Sequence, residues 1–428
     1  MSHREVELLA IGAGPSNLAL AVGIEELAPA DLAENTLVVE QHDTVAWQRG
    51  MLLPWTQSQV SFLKDLVTLR NPRSQFSFVN YLHATGRLDE FVNLGSFTPY
   101  RLEISDYLQW VSGALSSVRV EHGKRCARVT PDRADDGEIV GWNVQMADGD
   151  TIAARNLSIG IGRDKYVPEV FKGLPAERVI HSTEYSDRMA AVDPAAARRV
   201  IVVGGAQSAA EMVTATHQSL PDAKVTMVMR SIGLNGYESS RFTNELYYSS
   251  FIDEFHASAP EAREQMLREM HRSNYSGLAP GMLDNLYRTM YLERLTGDER
   301  LRMITMVDIV DAQYTDDEVV LTLLDRRTGV AEEVAADLVL LGTGFDREVP
   351  RVVRQLADAA GLDEVRVNRA YRLDIPGSDR SSVYLQGTNE ATHGIADSLL
   401  SVLASRAQDI ITDLVSRRGA TELLAVSA

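Results

Sequence analysis

The chain has one cysteine, Cys126, in 428 residues. A lone thiol excludes intramolecular disulfides and any Cys-x-x-Cys redox pair, and with them the reductases that pass electrons through paired cysteines. The nine histidines show no His-x-x-x-His or Cys/His spacing, so no metal centre is expected. A Gly-x-Ser-x-Gly nucleophile elbow is also missing. No apolar run approaches the roughly 18–20 residues that a membrane span needs. Positive charge is short: the net charge is −18 and the pI about 5.0. Nucleic-acid binding requires a basic surface and docking on anionic lipid requires basic clusters, so neither partner is expected. Residues 1–7 lead straight into an apolar strand pattern, leaving no room for a signal peptide, and a cytoplasmic protein is expected. Length and ordinary globular composition allow two or three domains with real cores.

Glycine is present where it matters. Glu7–Ile11, Gly12-Ala13-Gly14-Pro15-Ser16-Asn17 and a following apolar helix pattern form one strand–turn–helix signature. Val200–Val203, Gly204-Gly205-Ala206-Gln207-Ser208 and Ala209-Ala210-Glu211 form a second. Each predicts a buried strand, a turn whose backbone can approach a pyrophosphate, and a helix N-terminus facing that charge. Asn17 stands in place of the third glycine of the first motif, and Ala206 in place of the second glycine of the other. After the first motif, Thr36–Val39 ends in Glu40, a carboxylate placed to hold ribose hydroxyls. After the second, Val225–Met229 ends in Arg230, a cation where a 2′-phosphate would lie; a solvated strand-end cation is the plain alternative. One acidic and one basic reader point to two different dinucleotides, FAD first and NADPH second, and so to redox chemistry.

The fold expected is α/β, with two Rossmann-like dinucleotide-binding domains and a smaller, mostly helical substrate subdomain. Periodicity predicts helices through Phe78–Leu82 and Tyr107–Val111, and an antiparallel meander over 116–160. The FAD domain is assigned to 1–170 and 337–428, the latter ending in a C-terminal helix. The NADPH domain is assigned to 171–234 and 301–336. Residues 235–300, rich in Tyr, Asn, Ser and Met, are read as the helical subdomain.

The stretch Gln59-Val60-Ser61-Phe62-Leu63-Lys64-Asp65-Leu66 through Asn71-Pro72, together with Pro99-Tyr100-Arg101-Leu102-Glu103, is the most distinctive in the chain. With Phe242-Thr243-Asn244-Glu245, Ser273-Asn274-Tyr275-Ser276, Leu341–Phe345 and Asn389–Ser401 it closely resembles the flavin-dependent N-hydroxylating monooxygenases, in particular the L-ornithine N5-monooxygenases of hydroxamate siderophore biosynthesis. The resemblance runs in order over nearly the whole chain. Phe345 departs from it, at a position where the family usually has Tyr.

The resemblance implies an enzyme in which NADPH reduces FAD, O2 adds to the reduced flavin, and the resulting hydroperoxide oxygenates the neutral side-chain amine of L-ornithine while NADP+ stays bound. It implies that Lys64 pairs with the substrate carboxylate, although taken alone Lys64 reads as a surface lysine on a helix. Asn244 and Asn274 would hold the two amino ends, and Ser401 would supply a pocket hydroxyl near the amine. Gln59 and Arg101 would neighbour the flavin and, with Asn274, lie nearest the reaction; the plain alternative for Arg101 is a pair with Glu103 or Asp106. FAD would be held by Gly12, Gly14, Pro15, Asn17, Glu40, Gln41, Trp47 and Leu399, and NADPH by Gly204, Gln207, Ser208 and Arg230. L-Lysine, one methylene longer, is the near alternative substrate. A diamine is disfavoured by the Lys64 cation. A reductase that only makes peroxide would leave Lys64, Asn244 and Asn274 unexplained. A homo-oligomer, dimer or tetramer, is expected from the family.

Overall fold

The computed structural model describes residues 3–427 except 239 and 276. Ser276, part of one motif quoted above, lies outside the described residues.

Two sheets, one mixed and one parallel, organise the chain. In the first, His3–Ile11 lies between Thr36–Val39 and Thr151–Ile159, and Arg119–Glu121 extends the Thr36–Val39 edge, all parallel. The strand Thr151–Ile159 is shared along its length. Its first half pairs antiparallel with Ile139–Met146, which in turn pairs with Cys126–Arg133. Its second half pairs parallel with Ser382–Leu385. Thr36–Val39 and Ser382–Leu385 are buried at every position, as expected of strands covered on both faces. One face carries the Pro15–Leu27 helix and the C-terminal helix Leu403–Ser427. Leu403, Ala407, Ile410, Ile411 and Leu414 form the buried stripe of the latter. A Cβ on Gly23 would come within 2.7 Å of Ile411 Cδ1, so the absent side chain lets these two helices close.

The second sheet is wholly parallel, in the order Leu301–Ile304, Lys224–Val228, Arg199–Val203, Leu338–Leu341, Val179–His181. Here one expectation needs correction. The Leu338–Leu341 run is the fourth strand of this sheet rather than the return to the flavin domain, and the chain crosses back only after Gly342. A four-residue apolar run fits either sheet equally well; only pairing with Val200–Val203 decides. Val307–Thr315, Glu318–Asp325 and Ala331–Ala336 make a separate antiparallel meander packed on this sheet. Residues 235–296 form the helical subdomain, chiefly Ser249–Ala257, Pro260–Asn274 and Pro280–Thr296.

Candidate active site

The first glycine turn is shaped by contact. Gly12 has φ +90°, and a Cβ there would lie 2.9 Å from the Gly160 carbonyl oxygen. Only glycine fits both conditions. Gly14 caps the Pro15–Leu27 helix with no side chain, so the first N–H groups stay open to a ligand. Glu40 closes the turn: its carboxylate accepts Ala13 N–H at 2.9 Å and His42 N–H at 3.0 Å. Lone pairs remain for ribose hydroxyls. Asn17 is fully buried and its amide is committed to the protein. Its Nδ2 donates to the Ile11 and Gly12 carbonyls, and its Oδ1 accepts from Ser158 and Gln386. The side-chain amide shapes the turn and has no donor left to offer a cofactor. Gln41 is exposed just beyond, and half-buried Trp47 donates its backbone N–H to Ser105 Oγ at 3.1 Å.

The second turn follows the same logic. Gly204 has φ +139°, and a Cβ would meet the Gly342 oxygen at 2.5 Å. Gly342 in turn lies against Ala209, with room for no Cβ of its own (2.6 Å), so a small residue is needed at 209. Ala206 caps the Gln207–Ser219 helix without a side-chain bond, leaving its N–H groups free as well. Ala206 therefore keeps the anion-facing helix end that a second glycine would give. Arg230, exposed at the end of Lys224–Val228, pairs with no carboxylate among the described residues. Ser208 is half-buried at the helix start. Gln207 is less available than the sequence suggested: its Nε2 donates to Glu211 at 2.8 Å and its Oε1 accepts Ala279 N–H at 3.0 Å.

Within the flavin unit lies a small, mostly apolar cleft lined by Phe62, Lys64, Leu66, Phe78, Ile104 and Leu400 among others. Lys64 sits on an irregular run of turns, not on a helix. Its loop is built around Asp65, whose carboxylate accepts four bonds, from Val67, Phe78 and twice from Thr68. Asp65 therefore has nothing left for its neighbour. The Lys64 ammonium rests 4.5 Å from the centre of the Tyr248 ring and, among the described residues, meets no carboxylate. Burial lowers its pKa below the ordinary lysine value.

Asn244 is exposed on the short Arg241–Glu245 helix, and Asn274 is half-buried at the end of Pro260–Asn274. Their helices are tied by a Tyr247–Ser273 hydroxyl contact of 2.5 Å. Ile395, Ala396, Val402 and Leu399 pack on the same cluster as Tyr247 and Met270. Tyr275 Oη donates to Glu390 and lies 3.1 Å from Ser398 Oγ. The segment carrying Leu399 and Ser401 thereby joins the helical subdomain, and Leu400 reaches the cleft. Ser401 Oγ is buried with no partner among the described residues. Gln59 is exposed on a segment held beside Pro99–Arg101 by Ser58 N–H to Pro99 O and Arg101 N–H to Thr56 O.

Arg101 meets neither Glu103 nor Asp106. Its guanidinium is buried and makes two 2.7 Å bonds to Glu211, on the second nucleotide helix, while Glu103 is taken by Arg87. The guanidinium expected beside the flavin is thus paired with a carboxylate of the second nucleotide helix. Sequence reading also missed Arg406. It is fully buried, ion-paired with Asp397 at 3.0 Å and bonded to Ser16 Oγ at 2.9 Å in the first turn of the FAD helix. An isolated arginine in a C-terminal helix carries no signal of that contact. His393 stacks on Tyr371 with centroids 4.0 Å apart, and burial pushes its pKa down to about 4. It is neutral at physiological pH.

Two glycine turns at open helix ends, one followed by Glu40 and the other by Arg230, define a protein built to hold two dinucleotides. The family description L-lysine 6-monooxygenase/L-ornithine 5-monooxygenase matches residues 4–347, and the chain belongs to this flavin-dependent N-hydroxylating family. It is 34% identical over 412 residues, 94% of this chain and 92% of the relative, to an L-ornithine N(5)-monooxygenase of Pseudomonas aeruginosa. A structure of the Kutzneria sp. 744 ornithine N-hydroxylase with reduced FAD, NADP+ and L-ornithine superposes with TM-score 0.90 at 32% identity, covering 97% of this chain and 100% of that one. An L-lysine 6-monooxygenase from Pseudomonas syringae superposes at TM-score 0.83 with 28% identity, over 96% of this chain and 99% of that one. Among the described residues no helix is long and apolar enough to cross a membrane.

Proposed function

We propose that the chain is an FAD-, NADPH- and O2-dependent monooxygenase that hydroxylates the side-chain amine of L-ornithine. One observation carries this reading: a half-buried Lys64 ammonium with no carboxylate partner among the described residues, at a cleft next to the segment bearing the Ser401 hydroxyl, which has no partner among them either. An unpaired ammonium in apolar surroundings is costly, and an amino-acid carboxylate relieves that cost. A diamine would place a second cation against it.

The residues divide the work. Glu40 and the open helix end at Gly14 suit the ribose and pyrophosphate of FAD. The open helix end at Ala206, with Ser208 and the exposed Arg230, suits the phosphates of NADPH. FAD, when bound and reduced, supplies the electrons that activate O2 for transfer of one oxygen atom. Lys64 anchors the substrate carboxylate, Asn244 and Asn274 orient the two nitrogens, and Ser401 Oγ accepts a hydrogen bond from the neutral reacting amine. Leu399 and Leu400, from the closing segment, help keep water out. Ornithine is preferred over lysine because the L-ornithine enzymes are the relatives matched at 34% identity over most of the chain; the pocket difference is one methylene, worth about 1–3 kcal/mol. The product suits hydroxamate siderophore assembly.

The deciding experiment is mass spectrometry after incubating FAD-loaded protein with NADPH, air and L-ornithine, L-lysine or putrescine separately. Gain of one oxygen atom by ornithine alone is expected. The same gain by lysine alone would move the substrate assignment, and NADPH consumption yielding only peroxide with every amine would overturn the reading.

A further inference from the structure

The Arg101–Glu211 pair joins residues 110 apart in sequence and on different nucleotide units. Both side chains are almost wholly buried, at 7% and 1% exposure. The guanidinium and carboxylate meet fork to fork through two bonds of 2.7 Å, and Arg101 also reaches the Met51 carbonyl at 3.4 Å. The hydrogen bonds continue. Glu211 Oε1 takes the Gln207 amide, and Gln207 takes Ala279 N–H at the entry to the Pro280–Thr296 helix. One polar chain therefore runs from the flavin unit through the second nucleotide helix to the helical subdomain.

A second contact of the flavin unit sits beside it. Met51 packs in the core of the second unit. A Cβ on Gly50 would fall 2.2 Å from the Thr183 carbonyl carbon, and Ser186 Oγ donates to the Gly50 oxygen at 2.9 Å. Apolar packing alone would hold two units together at least as well as a buried ion pair. What the fork adds is a fixed distance and angle. Glu211 lies one turn after Gln207, at the end of the helix that faces the NADPH phosphates, so the fork sets how that helix end approaches the flavin unit.

We propose that Glu211 is a positioning residue: acting through Arg101, it holds the second nucleotide helix in the one alignment in which a hydride, two electrons and a proton, passes from NADPH to FAD. Both carboxylate oxygens of Glu211 are engaged, by Arg101 and by Gln207. The proposal rests on the FAD and NADPH reading above.

The test uses the full-length holoprotein, wild type beside Glu211→Gln and Arg101→Lys. Glu211→Gln keeps the shape and loses the charge; Arg101→Lys keeps the charge and loses the fork. Three quantities are read: FAD content and Tm, hydrogen exchange of amides 204–211, and anaerobic flavin reduction at saturating NADPH. Misalignment of about 1 Å is enough to cost on the order of 100-fold. The expected result is a reduction rate lower by about 10- to 100-fold in both variants and faster exchange at 204–211, with FAD content and NADPH affinity unchanged in Glu211→Gln. Photochemical reduction of the flavin, which bypasses NADPH, should proceed as in wild type. The proposal is overturned if reduction by NADPH is unchanged, or if it falls only in step with FAD content and Tm. A wild type that NADPH does not reduce at all would instead overturn the functional reading on which this rests.

Discussion

Replacing Lys64 by Met tests the pocket most directly. Met keeps an unbranched stem but removes the ammonium, and with it both the contact with the Tyr248 ring and the charge that would meet the substrate carboxylate. Hydrogen bonds to charged groups contribute about 1.5–3 kcal/mol, and each 1.4 kcal/mol is about tenfold in affinity. Lys64 is half-buried and no protein carboxylate competes for it among the described residues, which places the expected rise in the KM for ornithine at about 10- to 100-fold. Anaerobic reduction of the flavin by NADPH should stay close to wild type, since Lys64 belongs to the amine pocket. The pH dependence gives a second signature. Carboxylate binding needs protonated Lys64, and burial holds its pKa below the ordinary 10.5. The wild-type KM should therefore start to climb at a lower pH than an exposed lysine would give. Lys64→Met should lack that limb while keeping the one that belongs to the substrate amine. Steady-state product assays across alkaline pH read both effects. An unchanged KM with the same pH profile would refute the carboxylate role.

Arg230→Ala should raise the KM for NADPH and narrow the NADPH/NADH preference, because the 2′-phosphate is the only difference between the two; an unmoved ratio makes Arg230 a solvated bystander. Gly342→Ala should lower stability by about 1–3 kcal/mol, seen as a drop in Tm, because the added methyl meets the Ala209 Cβ at 2.6 Å; Ala209→Gly in the same chain should restore part of it. His393 and His181 are both held near pKa 4 by burial. The unfolded chain binds their protons first, so stability is full above about pH 6.5 and is lost between about 6.5 and 4, by roughly 3 kcal/mol per histidine. Denaturant titrations at pH 7 and pH 4.5 should show the loss, and His393→Asn should shrink it; a variant with the wild-type slope would contradict the assignment to His393.

The sequence by itself determined the two nucleotide units and put a carboxylate after one and a guanidinium after the other. The signals are local: a glycine turn enclosed by an apolar strand and a helix start, then a second strand ending in Glu40 or Arg230. Strand period and turn chemistry operate over a few residues, and the structure keeps both carriers at their strand ends. The run around Lys64 was legible only through resemblance, since nothing in Phe62–Leu66 says that Asp65 is consumed by its own loop and leaves the lysine unpaired. Tertiary structure alone decided the rest. Leu338–Leu341 carries no mark of which sheet it joins. The Asn17 amide looked available until Ile11, Gly12, Ser158 and Gln386 were seen to use it. Arg101 found its partner 110 residues away and Arg406 reached Ser16 across 390. Buried charges must be paired, but the chain does not announce with whom: the partner is chosen by which helices pack together, and that is settled only when both sheets and the C-terminal helix have closed.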